Sequence, residues 1–228
     1  MSESPRQSLL RASAGVVKAH PWHGVGIGTR APNVVTAYVE IVPTDTVKYE
    51  LDKDSGILRV DRPQQFSNMC PTLYGLVPQT YCAERTAEIC ADATGRDDVV
   101  GDGDPLDVCI LSETPILHSN VLLNCVPIGG LRMIDRNEAD DKIIAVLVGD
   151  GVYGEWRDIN ECPNKFIERL MHYFLTYKDV PGRKSKCEIT HVYGQRTACD
   201  VICRSHEDYV AHFGHIHQPA PEPEPEPA

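Results

Sequence analysis

One stretch of this chain indicates both its fold and its chemistry: Asp102-Gly103-Asp104-Pro105-Leu106-Asp107. It holds three carboxylates in a short turn, and the apolar residues 108–111 that follow predict a strand. Like charges held this close raise one another's pKa values and destabilise a fold unless cations neutralise them. Oxygen ligands at this density suit hard divalent ions such as Mg²⁺. The stretch therefore predicts a turn that leads into a strand and carries a metal site.

Two other interpretations of the same stretch exist. A turn rich in Asp, Gly and Pro with solvated acids is a common surface feature. An EF-hand calcium loop would use Asp102, Asp104 and Glu113 as its first, third and twelfth residues, but its sixth position is Asp107, where that loop requires glycine. The residues that follow also predict a strand and not an exiting helix. We therefore exclude the calcium loop, and the choice between a solvated turn and a Mg²⁺ site depends on the rest of the chain.

A second acidic segment, residues 133–142, lies between two apolar, strand-like runs at 121–128 and 143–148. It predicts two strands joined by an acidic loop, from which Asp135 and Asp140 project toward one site while Lys142 adds a cation. Charged hairpin loops are usually just solvated, so this segment alone does not define a site.

A third element supplies cations. In a strand at residues 47–51, side chains alternate between the two faces, so Lys48 and Glu50 share one face. Arg62 follows the apolar segment 57–60 and can donate to phosphate in a forked geometry. The simpler interpretations are a half-buried strand with a polar outer face and a surface arginine at a strand end.

Taken together, these segments resemble the family I soluble inorganic pyrophosphatases, whose signature is an Asp-x-Asp-Pro-apolar-Asp block. The resemblance covers about residues 34 to 180, and its seven matches occur in the family's order. They are Glu40, Lys48-Tyr49-Glu50, Val60-Asp61-Arg62, Tyr74-Gly75, Asp102 to Asp107, Met133 to Lys142, and Tyr177-Lys178-Asp179. Seven ordered matches are stronger than one short motif, since each separately requires residue types suited to metal and phosphate.

The resemblance implies roles for individual residues. Asp104 would be the general base beside the nucleophilic water, and Glu40 would lie at the outer rim of the metal site. The implied metal ligands are Asp102, Asp107, Asp140, Asp135 and Glu50. The implied substrate-binding residues are Lys48, Arg62, Tyr74, Lys142, Tyr177 and Lys178.

The resemblance also implies the reaction, which is Mg²⁺-dependent hydrolysis of inorganic pyrophosphate to two phosphates by a metal-activated water, with several Mg²⁺ ions per active site. The protein would thus be an enzyme, an inorganic diphosphatase acting on a phosphoric anhydride. Two alternatives stay open. Several family members carry tyrosine and asparagine where Cys70 and Leu73 stand, which allows a catalytically impaired barrel that binds phosphate or a partner. The other alternative is a related hydrolase acting on nucleotides or polyphosphate.

Composition restricts the class of protein. The chain has 228 residues, 42% of them hydrophobic, and a net charge of -11. It lacks any run of ~18 apolar residues, which predicts no membrane span. It is acidic and has no basic patch interleaved with aromatics, which predicts no nucleic-acid partner. Residues 1–10 lack an apolar signal core, so we expect a cytoplasmic protein. The resemblance implies a homo-oligomer.

The nine cysteines are scattered and odd in number, so we expect reduced thiols. Cys199, Cys203 and His206 lie close together in the sequence, but this spacing alone does not define a zinc site. We predict an N-terminal extension at residues 1–30, one catalytic domain at 31–216 and a disordered tail of alternating proline and glutamate at 217–228.

The predicted fold is mainly β with α. Many short strands separated by turn residues predict a barrel, and the resemblance implies a closed five-stranded, OB-like β-barrel with flanking strands and two C-terminal helices. A helix should begin after Pro163, because apolar residues from 166 to 174 recur at helical spacing. A second short helix is expected at 208–213, and residues 81–100 are interpreted as a polar loop excursion. Strands are predicted at 34–42, 47–51, 57–60, 108–111, 121–126, 143–148 and 188–192.

Overall fold

The computed structural model describes residues 18–64, 68–182 and 185–217. The strands in this part of the chain are β1 (Val35–Ile41), β2 (Val47–Leu51), β3 (Leu58–Pro63), β4 (Leu73–Leu76), β5 (Val100–Gly101), β6 (Asp107–Leu111), β7 (Val121–Asp135), β8 (Glu138–Ala139), β9 (Lys142–Leu147) and β10 (Cys187–Gly194). The helices are α1 (Glu84–Thr94), α2 (Asn164–Thr176) and α3 (Gln195–Phe213), with 3₁₀ turns at Ile159–Glu161 and Gly214–His217.

Five strands close into a ring in the order β1-β4-β6-β9-β7, and β7 pairs back onto β1. The pairing of β6 with β9 is parallel, and the other four pairings of the ring are antiparallel. The long strand β7 closes the ring because its first part pairs with β1 and its middle part with β9. Its last residues leave the ring and pair with β8 and β10. The prediction of a closed five-stranded sheet with flanking strands is confirmed.

Side-chain alternation along the ring strands divides the core into two clusters. On β9, Ile143 and Ala145 face a cluster that α3 covers, whereas Ile144 and Val146 face a cluster that α2 covers. This follows from the two-residue period of a strand. The helix predicted after Pro163 is confirmed as α2, and its apolar stripe is buried on the second cluster.

The C-terminal helix α3 begins much earlier than predicted. It runs over residues 195–213 and not 208–213, and its buried stripe includes Ala198, Val201, Ile202 and Tyr209. The residues Ser205-His206-Glu207 resemble a helix start in the sequence, but here they lie inside a helix that already packs on the core. Burial of the whole stripe outweighs the local start signal.

The interpretation of residues 81–100 as a loop excursion is wrong, because this segment contains α1. No capping side chain stands at the start of α1, where the N-cap residue is Ala83. Instead the buried Asp208 carboxylate of α3 accepts hydrogen bonds from the backbone N–H groups of Ala83, Arg85 and Thr86 at 3.1–3.2 Å. Because the capping residue lies far along the chain, the sequence around residue 83 contains no pattern that predicts the start of α1.

The terminal predictions are only partly covered by the described residues. Residues 1–17 and 218–228 lie outside them, and so does nearly all of the predicted Pro/Glu tail. Within the predicted extension, Trp22 is buried and its ring contacts those of Tyr209 and Phe213. All nine cysteines are free. Within the described part of the chain, no helix has the length and apolarity needed to cross a membrane.

Candidate active site

One cleft, with a volume of about 240 Å³, brings together all twelve predicted site residues. They come from β2, β3, β4, the turn before β6 and its first residue, the end of β7, the link between β8 and β9, the first residue of β9, and the end of α2. They are Lys48, Glu50, Arg62, Tyr74, Asp102, Asp104, Asp107, Asp135, Asp140, Lys142, Tyr177 and Lys178. Segments that are distant in sequence therefore meet at one surface.

The acidic turn before β6 is held by short-range hydrogen bonds. Gly103 has a φ of 73°, a conformation that glycine adopts without strain. The Asp102 carboxylate accepts a hydrogen bond from the Asp104 backbone N–H at 3.0 Å. Cys82 binds the turn on both sides, since its N–H donates to the Asp104 carbonyl at 2.8 Å and its carbonyl accepts from the Gly103 N–H at 3.0 Å. The three carboxylates therefore stand on a braced turn.

Lys142 lies at the centre of the acidic side. The parallel register of β6 and β9 places it directly opposite Asp107. Its buried ammonium contacts the carboxylates of both Asp107 and Asp140. Burial by itself would lower the pKa of Lys142, but the charges of these two aspartates raise it well above its usual value. Lys142 is therefore a permanent cation inside the carboxylate cluster.

The carboxylates of the cleft outnumber its cations. Burial and then the charge of Asp140 raise the pKa of Asp102 to about 9, and burial and then the charge of Asp107 raise the pKa of Glu40 to about 8. The lining includes eight carboxylates against four lysine and arginine side chains. Such pKa values mean that the cluster binds protons when it has too few other cations.

The donor set suits hard divalent ions, because every acidic group in it offers carboxylate oxygen. Among the described residues, no three His, Cys, Asp or Glu side chains already converge on one ion position. Ammonium groups contact the acids instead, Lys142 those of Asp107 and Asp140 and Lys53 that of Asp104. The residues present thus fit a metal by chemistry and charge.

Part of the cleft lining, the cationic wall, carries Lys48, Arg62 and Lys178. The register of the β2–β3 hairpin pairs Lys48 with Arg62. Lys48 Nζ lies 3.1 Å from the Asp61 carboxylate, which also contacts Arg62. From the end of α2, Lys178 Nζ lies 2.6 Å from Asp135 Oδ2 and 5.1 Å from the centre of the Tyr177 ring. Each of these cations has a carboxylate partner, so each is held in place.

Tyr74 contributes a hydroxyl from β4. Burial, followed by the charges of Asp107 and Asp140, raises its pKa well above the usual value. The phenol therefore stays protonated at neutral pH and can donate a hydrogen bond to an anion.

Sequence reasoning missed several residues of the cleft. Glu138, Tyr173 and Phe174 line it. Glu138 belongs to the acidic segment that predicted Asp135 and Asp140. Tyr173 lies one helical turn before Tyr177. The sequence therefore contained a pattern from which both residues could have been predicted. Lys53 had none, because only the folding of the β2–β3 turn brings its ammonium to Asp104.

The two departures from the family pattern lie in the core and not in the cleft lining, although the Cys70 thiol contacts Tyr173, which lines the cleft. Cys70 and Leu73 are 1% and 3% exposed and belong to the two core clusters. Neither side chain lines the cleft.

Comparison with known proteins gives a consistent result. The family model described as inorganic pyrophosphatase matches residues 37–210. The inorganic pyrophosphatase of Chlamydia trachomatis is 50% identical over 196 residues, which cover 84% of this chain and 94% of that protein. Soluble inorganic pyrophosphatase 1 of Arabidopsis thaliana is 38% identical over 178 residues, which cover 78% of this chain and 74% of that protein.

Among solved structures, the inorganic pyrophosphatase of Thermus thermophilus superposes with a TM-score of 0.70 at 27% sequence identity. The match covers 84% of this chain and 99% of that one.

Proposed function

Because the chain belongs to the inorganic pyrophosphatase family, we propose that it hydrolyses inorganic pyrophosphate to two phosphates. The resemblance stated from the sequence motifs is confirmed. The observation that carries the proposal is the convergence of the twelve predicted side chains in one cleft. Its volume of about 240 Å³ lies below the ~300–1,000 Å³ of most small-molecule sites, which favours a compact ligand.

Divalent cations, with Mg²⁺ as the proposed ion, complete the site. Pyrophosphate is an anion, and the cleft has four more carboxylates than lysines and arginines (eight minus four), so cations must reverse its local charge before an anion binds. Asp102, Asp107 and Asp140 would hold them, with Asp135 and Glu50 at the edges. When bound, such ions lower the pKa of a coordinated water and neutralise phosphate oxygens.

Asp104 is proposed as the general base. It stands on the braced turn beside Asp102 and Asp107, and its carboxylate reaches the cleft. A base in this place removes a proton from the attacking water as the oxygen forms its bond to phosphorus. The Lys53 ammonium contacts this carboxylate.

The cationic wall would hold the two phosphate groups. Lys48 and Arg62 approach from the hairpin and Lys178 from the end of α2. Tyr74 and Tyr177 add hydroxyl donors, and Lys142 adds a buried positive charge. Positioning and charge stabilisation dominate phosphoryl transfer, so no protein nucleophile is required.

The departures at Cys70 and Leu73 do not favour an impaired barrel, because both side chains pack in the core and not in the cleft.

We further propose that residues 31–216 form the catalytic domain. Nine free cysteines suit a reducing compartment, which supports a cytoplasmic location. The family resemblance supports a homo-oligomer.

The direct test is phosphate release from pyrophosphate by the purified full-length chain, measured with Mg²⁺ and with excess chelator. We expect turnover that requires the ion. ATP and polyphosphate serve as comparison substrates. An absence of Mg²⁺-dependent phosphate release would reject the proposal, and equal turnover of ATP would favour a nucleotide hydrolase.

A further inference from the structure

A buried ion pair lies directly behind the acidic side of the cleft. Arg132 on β7 and Asp141 are 2% and 7% exposed, and Arg132 Nη1 lies 3.4 Å from Asp141 Oδ2. The hydroxyl of Tyr193 on β10 donates a hydrogen bond to the same oxygen at 3.0 Å. The Arg132 guanidinium also lies 5.1 Å from the centre of the Tyr193 ring. None of the three side chains lines the cleft.

The position of Asp141 in the chain connects this group to the site. Asp140 and Asp141 form the two-residue link between β8 and β9, and Lys142 follows as the first residue of β9. Asp140 and Lys142 line the cleft. Asp141 points instead toward Tyr193, whose ring belongs to the core cluster that α3 covers. Anchoring Asp141 therefore fixes the backbone from which both of its neighbours project.

Asp140 is held by the hydrogen bond from its backbone N–H to the Met133 carbonyl at 3.0 Å. Lys142 is held on both sides, by its pairing with Asp107 on β6 and with Leu131 on β7. Because these two pairings fix Lys142, a rotation at residue 141 would mainly displace Asp140. The Arg132–Asp141–Tyr193 contacts resist such a rotation.

Stability alone does not explain the ion pair. A buried pair has a large desolvation cost, and apolar residues of similar volume are often as stable or more stable. Among the described residues, Arg132 Nε and Asp141 Oδ1 also have no hydrogen-bond partner, which adds to the cost. The pair is thus a costly arrangement located where orientation matters.

We propose that Arg132, Asp141 and Tyr193 form a positioning network that orients Asp140 beside Lys142 and thereby sets the affinity of the cleft for divalent cations. The proposal rests on the proposed function, because it assigns the network to that same site. Partners of this kind behind metal ligands typically contribute ~10–100-fold to metal affinity or activity.

The test uses two variants of the full-length protein. The double variant Arg132→Met/Asp141→Leu replaces the ion pair by apolar groups and should fold, for the reason given above. Tyr193→Phe removes one hydroxyl and keeps the ring. Mg²⁺ affinity is measured by isothermal titration calorimetry without pyrophosphate, kcat and KM by phosphate release, and folding by thermal unfolding. The control is Arg96→Met/Glu188→Leu, an ion pair outside the cleft lining.

We expect the double variant to fold but to unfold at a somewhat lower temperature, because the buried Tyr193 hydroxyl loses its acceptor. It should bind Mg²⁺ roughly 10-fold or more weakly and lose kcat by a similar factor. Tyr193→Phe should show a smaller loss of both, and the control should match the wild type. Unchanged Mg²⁺ affinity and kcat in a folded double variant would overturn the proposal. If the double variant does not fold, unchanged values in Tyr193→Phe would overturn it. A wild type that does not hydrolyse pyrophosphate rejects the proposed function, whereas the substrate-free Mg²⁺ titration still decides for or against the network.

Discussion

Gly101 lies against Cys82 with no space for a side chain. A Cβ atom on Gly101 would stand 2.3 Å from the Cys82 carbonyl oxygen and 2.5 Å from the Ala83 Cα atom. The same Cys82 carbonyl accepts the hydrogen bond from Gly103 that braces the acidic turn. The contact therefore couples the start of the α1 segment to the carboxylates of the cleft.

Gly101→Ala should consequently lower both stability and activity. Backbone atoms must move to admit the methyl group, and overpacking of this kind costs about 1–3 kcal/mol. Displacement of the neighbouring Asp102 should also reduce kcat, because a shift of ~1 Å can cost about 100-fold. Urea unfolding and phosphate release measure the two effects. Gly151→Ala is the matched control, since a Cβ there has no atom within 4 Å; equal behaviour of both variants would contradict the coupling.

Asp104→Asn should cut turnover severely while the fold remains intact. The amide keeps the shape of the side chain but cannot accept the proton of the attacking water, and a positioned general base typically contributes about 10²–10⁴-fold. Phosphate release gives kcat, and circular dichroism checks the fold. Asp98→Asn, an exposed acid outside the cleft lining, should retain the wild-type rate. A near-normal kcat for Asp104→Asn would refute its role as base.

Mg²⁺ should stabilise the protein against heat. An ion that binds only the folded state at 100 times its dissociation constant adds about 2.7 kcal/mol. For a chain of this size that corresponds to a rise in Tm of roughly 5–10 °C. Differential scanning calorimetry with Mg²⁺ and with chelator measures the rise. The rise in Tm should be smaller in Asp102→Asn and in Asp107→Asn. A rise as large as that of the wild type in both variants would show that the ion does not bind at these residues.

Asp208→Ala should destabilise the protein without acting on the chemistry directly. The change removes the cap of α1 and one of the two carboxylates that contact the partly exposed Arg85 guanidinium, the one 3.0 Å away. Loss of a cap costs ~0.5–2 kcal/mol and loss of an ion pair to an exposed arginine under ~1 kcal/mol, so we expect roughly 1–3 kcal/mol. Urea unfolding gives the free energy. Glu207→Ala removes an exposed acid 3.5 Å from Arg85 and should cost under ~1 kcal/mol.

Cysteine alkylation should follow burial and pH. Burial raises the pKa of Cys70 to about 11 and of Cys125 to about 12, so both stay protonated and unreactive at pH 8. The exposed Cys203 should react first. Its pKa is also raised, by partial burial and by Asp200, so its rate should increase as the pH rises from 8 to 9.5 because more thiolate forms. Iodoacetamide labelling with peptide mapping tests this, and rapid labelling of Cys125 in the folded protein would contradict it.

Much of the fold could be predicted from local patterns, and the candidate site residues from the ordered motifs that resemble the family. Helix α2 follows from apolar spacing after Pro163, and β2 was predicted with its observed bounds. Strand β4 was not predicted, because its four residues are too few to show the two-residue alternation of a strand. Helix α3 was predicted too short, since its buried stripe depends on the core on which it packs.

The amino-acid sequence by itself determined which side chains are candidates for the chemistry, because metal and phosphate each demand particular residue types in a recognisable order. Only the tertiary structure decided how they meet. The opposition of Asp107 and Lys142 depends on the parallel register of β6 and β9. The cap of α1 by Asp208, the contact of Lys53 with Asp104 and the anchoring of Asp141 by Arg132 also join residues far apart in the chain. Such contacts form because closing the ring buries apolar area, and that gain in free energy is a property of the whole sheet and not of any local segment.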